Sequence, residues 1–422
     1  MPDILGIIKE AFIATWPLML FVVLAPITHS LLVFWRNEEF LGKVKYSLLE
    51  LRIPREIKKS PRAMEQILTA LHSLRSFPVD VNDKYIKGVT AVNFSLELVS
   101  FGGEVRFFIR TEESQQKIVE AAFFAYYQDI EVVEVEDYAI TLPGTLREME
   151  RGGFDIWGTE VVLAREDAYP IKTYVDFEGI DEDKQFDPIA TFLEILSKAK
   201  SGEIIGIQLI IDPVDHKWKD AWKGLLDRLR QTQALKSTDP TQQLKALSKS
   251  PGETDVIKAV EANLSKNAFD SLIRLIYISP RSSFYNLFGA GLFGAFNQFS
   301  ALHLNSFKPN GPTGTKTKVW IFPYVLPKLR TRYRKQRLLM NYRNRETPKG
   351  TFMGKLLTSS VFNTNFHSRS YILNTEAIAT LFHPPTFGTL TAPHINRMES
   401  KKTGAPAGLP IFGEGTEIEE FQ

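Results

Sequence analysis

Gly311, Gly314 and Lys316, in the stretch NGPTGTKTK at 310–318, come nearest in this chain to phosphate-binding chemistry. A cradle of the G-x-x-x-x-G-K-[ST] type needs four residues between its glycines and Lys directly after the second. It also needs a strand before it and a helix behind, so that successive N–H groups close around the phosphates. Here two residues separate the glycines, and Thr315 stands before Lys316. Val319 to Phe322 reads as a strand broken by Pro323, so no helix N-terminus faces the loop. The spacing predicts a basic turn without ATP hydrolysis, and no other Walker-type loop occurs in the sequence.

Other candidates for chemistry are sparse. His72, His216, His303, His367, His383 and His394 lie far apart in the chain, and no H-E-x-x-H spacing occurs. Asp181, Glu182, Asp183 and Asp187 lack the alternation and central glycine of a calcium loop and read as a solvated loop. There is no G-x-S-x-G elbow. The chain contains no cysteine, which excludes disulfides, thiolate metal sites and Cys nucleophiles and fits a reducing compartment. Neither catalytic residues, a cofactor nor a metal site is expected.

The densest charge lies in KLRTRYRKQRLLMNYRNR, residues 328–345. Arg330, Arg332, Arg334, Lys335, Arg337, Arg343 and Arg345 occur there with Tyr333 and Tyr342 and no acidic residue. Such a cluster binds phosphate backbones while its aromatics stack bases. A basic helix also suits lipid or an acidic partner, or forms a solvated face, and the residues leave these alternatives open.

These groups must be positioned by two to three domains' worth of chain, given 422 residues, 44% hydrophobic and 24% charged. A net charge of +2 gives no global attraction to nucleic acid. Ala11 to Trp35 runs without a formal charge, long enough to cross a bilayer, with Trp16 and Trp35 near its ends and Pro17 and Pro26 inside it. Lys9 precedes the span, whereas Arg36, Lys43, Lys45, Arg52, Arg55, Lys58, Lys59 and Arg62 follow it as a basic lead-in. The positive-inside rule then predicts a single-pass protein with its body in the cytoplasm. The membrane anchor is assigned to Trp16, Pro26 and Trp35.

Ser60-Pro61 starts an amphipathic helix expected to reach about Phe77. In VNFSLELVS, Val92, Phe94, Leu96 and Leu98 alternate with Asn93, Ser95 and Glu97, which predicts a strand with the polar residues outward. Gly102-Gly103 turns into a second strand, followed by a helix from Glu112 to about Tyr127 and a strand at 130–138. FFAYYQ at 123–128 and FGAFNQ at 293–298 match at an offset of 170, which also aligns the strand at 273–279 with 103–109. The second copy begins at 203–212, with its turn replaced by a charged helical excursion. Residues 155–200 read as two strands and a helix, and the Gly-rich stretch at 284–304 as a core helix.

The fold class expected is α+β: a transmembrane helix, then two ferredoxin-like ββαβ lobes with a helical insertion. The divisions are 1–45 anchor, 46–150 first lobe, 151–310 second lobe with its insertion at about 214–265, 311–395 basic mixed region, and 396–422 extended tail.

The order of several segments carries a resemblance. ELRIPREIKKSPRAMEQILTALHSL (50–74), SLELVSFGGEVRFFIRT (95–111), FDSLIRLIYISP (269–280), the basic stretch, YILNTEAIATLFHPPT (371–386) and ESKKTGAPAGLPIF (399–412) follow an apolar anchor. Together they resemble the membrane-anchored N-terminal region of type IV secretion or conjugation ATPases, in the version found in Candidate Phyla Radiation bacteria. In that family an FtsK-like motor follows the last segment, near where this sequence ends, and the residues for hydrolysis are missing here. The resemblance implies a non-catalytic membrane scaffold of a secretion-like or DNA-transfer apparatus. Its partners would be the membrane, a separate secretion-type ATPase and further copies of itself. The alternative is a membrane-tethered nucleic-acid binder acting through 328–345.

Overall fold

The computed structural model describes residues 4–54, 59–75, 78, 80–178, 186–231, 251–285, 287–317, 325–363, 365–386 and 397–398. Asp181 to Asp183, the strand expected at 319–322, the helix end expected at Phe77 and most of the 396–422 tail lie outside them. Helix α1, Ile4–Lys43, continues through Pro17 and Pro26. Within it Phe12–Lys43 is long and apolar enough to cross a membrane. Phe12, Trp16, Leu20 and Phe21 stand exposed, whereas Ser30 and Val33 begin the part that docks on the body.

The charges after the anchor point to an exposed lead-in, yet Tyr46–Pro54 forms strand β1. Both of its faces are covered, so its sequence shows no alternation. Helix α2 (Arg62–His72) buries Met64, Ile67, Leu68 and Leu71 along one side. After a π-helical turn at Asp83–Lys87 come β2 (Phe94–Phe101), β3 (Glu104–Glu112), α3 (Gln116–Tyr126) and β4 (Glu131–Val135). Two short helices, α4 (Tyr138–Thr141) and α5 (Leu146–Arg151), lead to a second series. It runs β5 (Phe154–Leu163), α6 (Tyr174–Phe177), α7 (Ala190–Ser197), β6 (Ile204–Pro213), α8 (Lys223–Gln231), α9 (Pro251–Ser265), β7 (Ala268–Pro280), α10 (Phe288–Gly294) and β8 (Phe307–Pro309). The chain closes with α11 (Pro327–Asn344), α12 (Phe352–Leu357), β9 (Tyr371–Asn374), α13 (Thr375–Leu381) and β10 (Arg397–Met398).

The fold is mixed α+β around one antiparallel sheet whose main path is β4-β1-β3-β2-β6-β7-β5-β8. Strand β9 adds antiparallel to β7, and β10 pairs parallel with β1. Each series is β-α-β-β-α-β with spatial order fourth-first-third-second, and the second strands β2 and β6 join the two halves. The offset of 170 therefore relates equivalent places, β3 with β7 and α3 with α10. Among the described residues between 154 and 200, one long strand stands where two were expected. The 284–304 stretch breaks into α10 and a 3-10 turn at Ala295–Phe299. A Cβ on Gly289 would meet the Trp157 ring at 2.2 Å, so glycine there sets the close packing of α10 on β5.

One face of the sheet carries the main core, where Leu49, Leu96, Phe107, Leu209 and Ile273 pack under α2, α3, α7, α10 and α13. The other face is covered as well. Leu338, Leu339 and Tyr342 of α11 lie on Ile156, Ile276 and Ile278, flanked by α4 and α5. Two strand glycines admit this helix. A Cβ on Gly158 would come within 2.4 Å of Leu338, and one on Gly206 within 2.2 Å of the Tyr342 hydroxyl. The alternation in β2 predicts Ser95 and Glu97 facing water, but both are fully buried because α11 seals their side.

Candidate functional site

Burial under α11 gathers the polar residues that a soluble sheet would expose. Glu97, Gln208, Arg274 and Glu160 stand in register on β2, β6, β7 and β5 and form one row across the join between the halves. All four are fully buried. Every guanidinium N–H of Arg274 has an acceptor. Nε and Nη2 donate to Glu160 Oε1 at 3.3 and 3.1 Å, and Nη1 donates to Gln208 Oε1 at 3.0 Å. The remaining N–H groups of Nη1 and Nη2 reach the carbonyls of Asn341 and Glu346 at the C-terminal end of α11.

Arg345 closes the row from above. Its left-handed backbone (φ 52°) caps α11 and turns the side chain toward the sheet. Nε and Nη2 donate to the two Glu97 oxygens at 2.9 and 3.2 Å, and the guanidinium also grips Asp137. Ser95 and Tyr138 donate to Glu97 at 2.6 Å each, and Gln208 adds a third neutral donor. Burial alone would raise the Glu97 carboxyl, but the charge of Arg345 and these hydrogen bonds outweigh it and hold it down to about 2. Burial pushes the Tyr138 and Tyr342 hydroxyls up, and they bond each other at 2.7 Å. With its donors and acceptors engaged internally, this arrangement fixes the position of α11 across the join.

Above the row opens a polar cleft of about 180 Å³. Asn341, Glu346 and Ser368 line its floor, the last donating to Glu160 Oε1 at 2.7 Å. Lys349 crosses its wall, paired with Glu38 of α1 and Glu346. Arg337 also lines the cleft, and its Nε lies buried without a hydrogen-bond partner among the described residues.

The basic stretch divides accordingly. Arg330, Arg334 and Arg345 are buried. Arg330 donates to the Thr317 hydroxyl, and Arg334 to the carbonyls of Gly311, Gly314 and Asn365. Lys335 pairs with Asp155, Arg332 with Glu150, and Arg343 donates to the carbonyls of Ala139 and Ile140. The partners that engage this run lie as far as 248 residues away in sequence, which is why the run alone reads as an open positive surface.

The Gly311–Lys316 loop is built against β5. The Thr313 and Thr315 hydroxyls accept from the N–H groups of Glu160 and Gly158, while the Thr313 and Gly314 N–H groups donate to the Asn310 carbonyl. Two histidine positions far apart in sequence meet, with the His72 and His216 rings 5.8 Å apart. His383 pairs with Asp187 at 2.8 Å inside the core, a contact that no sequence spacing announces. Among the described residues no group of His, Asp and Glu could hold a metal ion. At the anchor, Trp16, Pro26 and Trp35 are exposed. The two tryptophans are nineteen positions apart, about 28 Å along a helix, close to the thickness of a hydrocarbon core.

Residues 36–303 match the family described as Domain of unknown function (DUF8128), more than half of the chain, and the chain belongs to that family. The match contains the first β-α-β-β-α-β series and the second as far as α10, and stops short of β8 and α11. No curated protein matches the chain.

Proposed function

We propose that this protein is a non-catalytic, membrane-anchored scaffold of a type IV secretion-like or DNA-transfer apparatus. Helix α1 makes a single pass through the bacterial cytoplasmic membrane, and the body lies in the cytoplasm on the side of the basic flank. The observation that carries this reading is the join beneath α11, where the buried charged side chains of the row are engaged with one another and with α11. A body held this way suits transmission of position more than turnover. The two halves are ferredoxin-like units, side by side, whose outer surfaces serve protein contacts in a homo-oligomer and with a separate secretion-type ATPase.

The nucleic-acid reading needs Arg330, Arg334 and Arg345 on the surface, and their burial favours the scaffold. Crosslinking and affinity capture of the full-length protein from native membranes, read by mass spectrometry, tests the proposal. Recovery of a secretion-type ATPase supports it. A monomer in mild detergent that captures no ATPase sinks it.

A further inference from the structure

We infer that the body lies flat against the bilayer, through a second membrane contact made by two segments beside the base of α1. The inference rests on the reading of α1 as a membrane-spanning helix. Both segments climb α1 toward its apolar end. Along the first, Gly88 packs on the Arg36 carbonyl, and Tyr85 then bonds His29 at 3.0 Å. Along the second, Lys349 pairs with Glu38, Gly354 lies beside Phe34, and the Met353 N–H reaches Ser30 at 2.9 Å.

At the ends of these climbs the apolar side chains turn outward. Val81 (73% exposed) precedes the π-helical turn and Ile86 lies within it, and Phe352, Leu356, Val361 (82%) and Phe362 line α12 and the turn after it. Ile86 and Phe352 adjoin Tyr85 and Met353, which bond His29 and Ser30 beside the turn where α1 shows Leu31 and Leu32 to its surroundings, so the bare surface of the anchor continues onto the body. Lys84 and Lys355 are exposed on the same two segments, placed to meet anionic headgroups. Apolar side chains beside cations at the level where a spanning helix leaves the hydrocarbon are the composition of an interfacial contact. Lipid is therefore the occupant, entered to the depth of the headgroup boundary.

Because the chain has no cysteine, single substitutions carry a unique label. Full-length protein in lipid vesicles, bearing an environment-sensitive fluorophore on Val81→Cys, Phe352→Cys or Val361→Cys, is read against lipids with nitroxides at shallow or deep positions. Phe21→Cys in α1 gives the deep reference. Leu287→Cys, beyond the edge of the sheet opposite Tyr46, gives the soluble one. The inference expects loss of emission from the first three with shallow nitroxides, from Phe21→Cys with deep ones, and no loss from Leu287→Cys. Quenching at position 21 alone overturns it and leaves the anchor intact. Absence of quenching at 21 overturns the anchor reading and the inference together. Shielding of the three labels that grows with protein concentration and ignores the nitroxides assigns the surface to a second copy, which also overturns it.

Discussion

Helices α1 and α11 reverse the usual relation between polarity and burial. The apolar turns of α1 between Phe12 and Leu24 are bare, whereas α11 and its cap, with eight cations from Lys328 to Arg345, bury Arg330, Arg334 and Arg345. Each helix is matched to what surrounds it. Exposed apolar surface on this scale is stable where the solvent is hydrocarbon. Buried guanidinium is stable where carboxylates and carbonyls meet its N–H groups, as Glu97 and Asp137 do for Arg345 and Glu160 and the end of α11 do for Arg274. Polar contacts hold α11 to the body from inside, whereas the apolar turns of α1 are left uncovered by the described residues.

The largest expected effect comes from breaking the polar side of that contrast. Arg345→Ala leaves Glu97 buried without its cation, and Arg274→Ala does the same to Glu160. Each should cost about 3–5 kcal/mol, the range for stripping one partner from a buried ion pair. Denaturant unfolding of the purified protein measures it. Leu20→Ala on α1, which removes a larger apolar fraction from an exposed site, should change the same midpoint by less than about 0.5 kcal/mol. Equal losses from the two substitutions would end the comparison.

The approach of α11 is the next place to press. Gly206→Ala sets a methyl 2.2 Å from the Tyr342 hydroxyl and 2.9 Å from the ring carbon that bears it. The helix must lift or the strand bend, at about 1–3 kcal/mol, the usual cost of overpacking. Tyr342→Phe removes the nearer atom, so the double variant should recover part of the loss, read as a coupling energy in a double-mutant cycle.

Local pattern revealed the parts whose environment is local. The period of α2, the β2–β3 hairpin with Gly102-Gly103 at its turn, and the apolar run of α1 were all legible. Strand β1 was not, because coverage of both faces removes the alternation that marks a strand. Glu97 was misdirected for the same reason, since the helix that buries it lies more than two hundred residues later. Asp187 and His383 carried no signal, being joined across 196 residues. Position-specific charge pairing over such separations is a property of the folded chain, and single-sequence periodicity does not contain it.

Strands β6 and β7 also hold carboxylates that meet no cation among the described residues. Asp212 and Asp270 face each other across β6 and β7, toward the end where α1 enters. Burial first, and the neighbouring Asp270, push Asp212 up to about 7; burial first, and Asp167, push Asp270 up to about 6. Both values are raised above the ordinary aspartate range, so the folded state holds these protons more tightly than the unfolded chain. Stability from this pair is fully present below about pH 4 and is lost as the pH rises through about 6 and 7. Glu97 has the opposite sign, contributing above its unfolded value and failing only as the pH falls toward about 2. Asp270→Asn should flatten the decline between about pH 4 and 7, on the order of 1–2 kcal/mol after discounting for partial exposure. Unfolding midpoints across that range decide it, and an unchanged slope would remove the pair from the account.

The smallest effect lies within α11 itself. Arg332 is 60% exposed and bonds Glu150 at 2.8 Å, a better distance than several contacts of Arg345. If ion-pair geometry governed the helix, Arg332→Ala would rival Arg345→Ala. If burial governs it, water replaces the lost partner and Arg332→Ala costs about 0.2–1 kcal/mol, shrinking further in high salt. The salt series matters more than the single value. Screening should erase the Arg332 effect and leave the Arg345 effect nearly whole, because the Debye length applies to charges that solvent ions can approach.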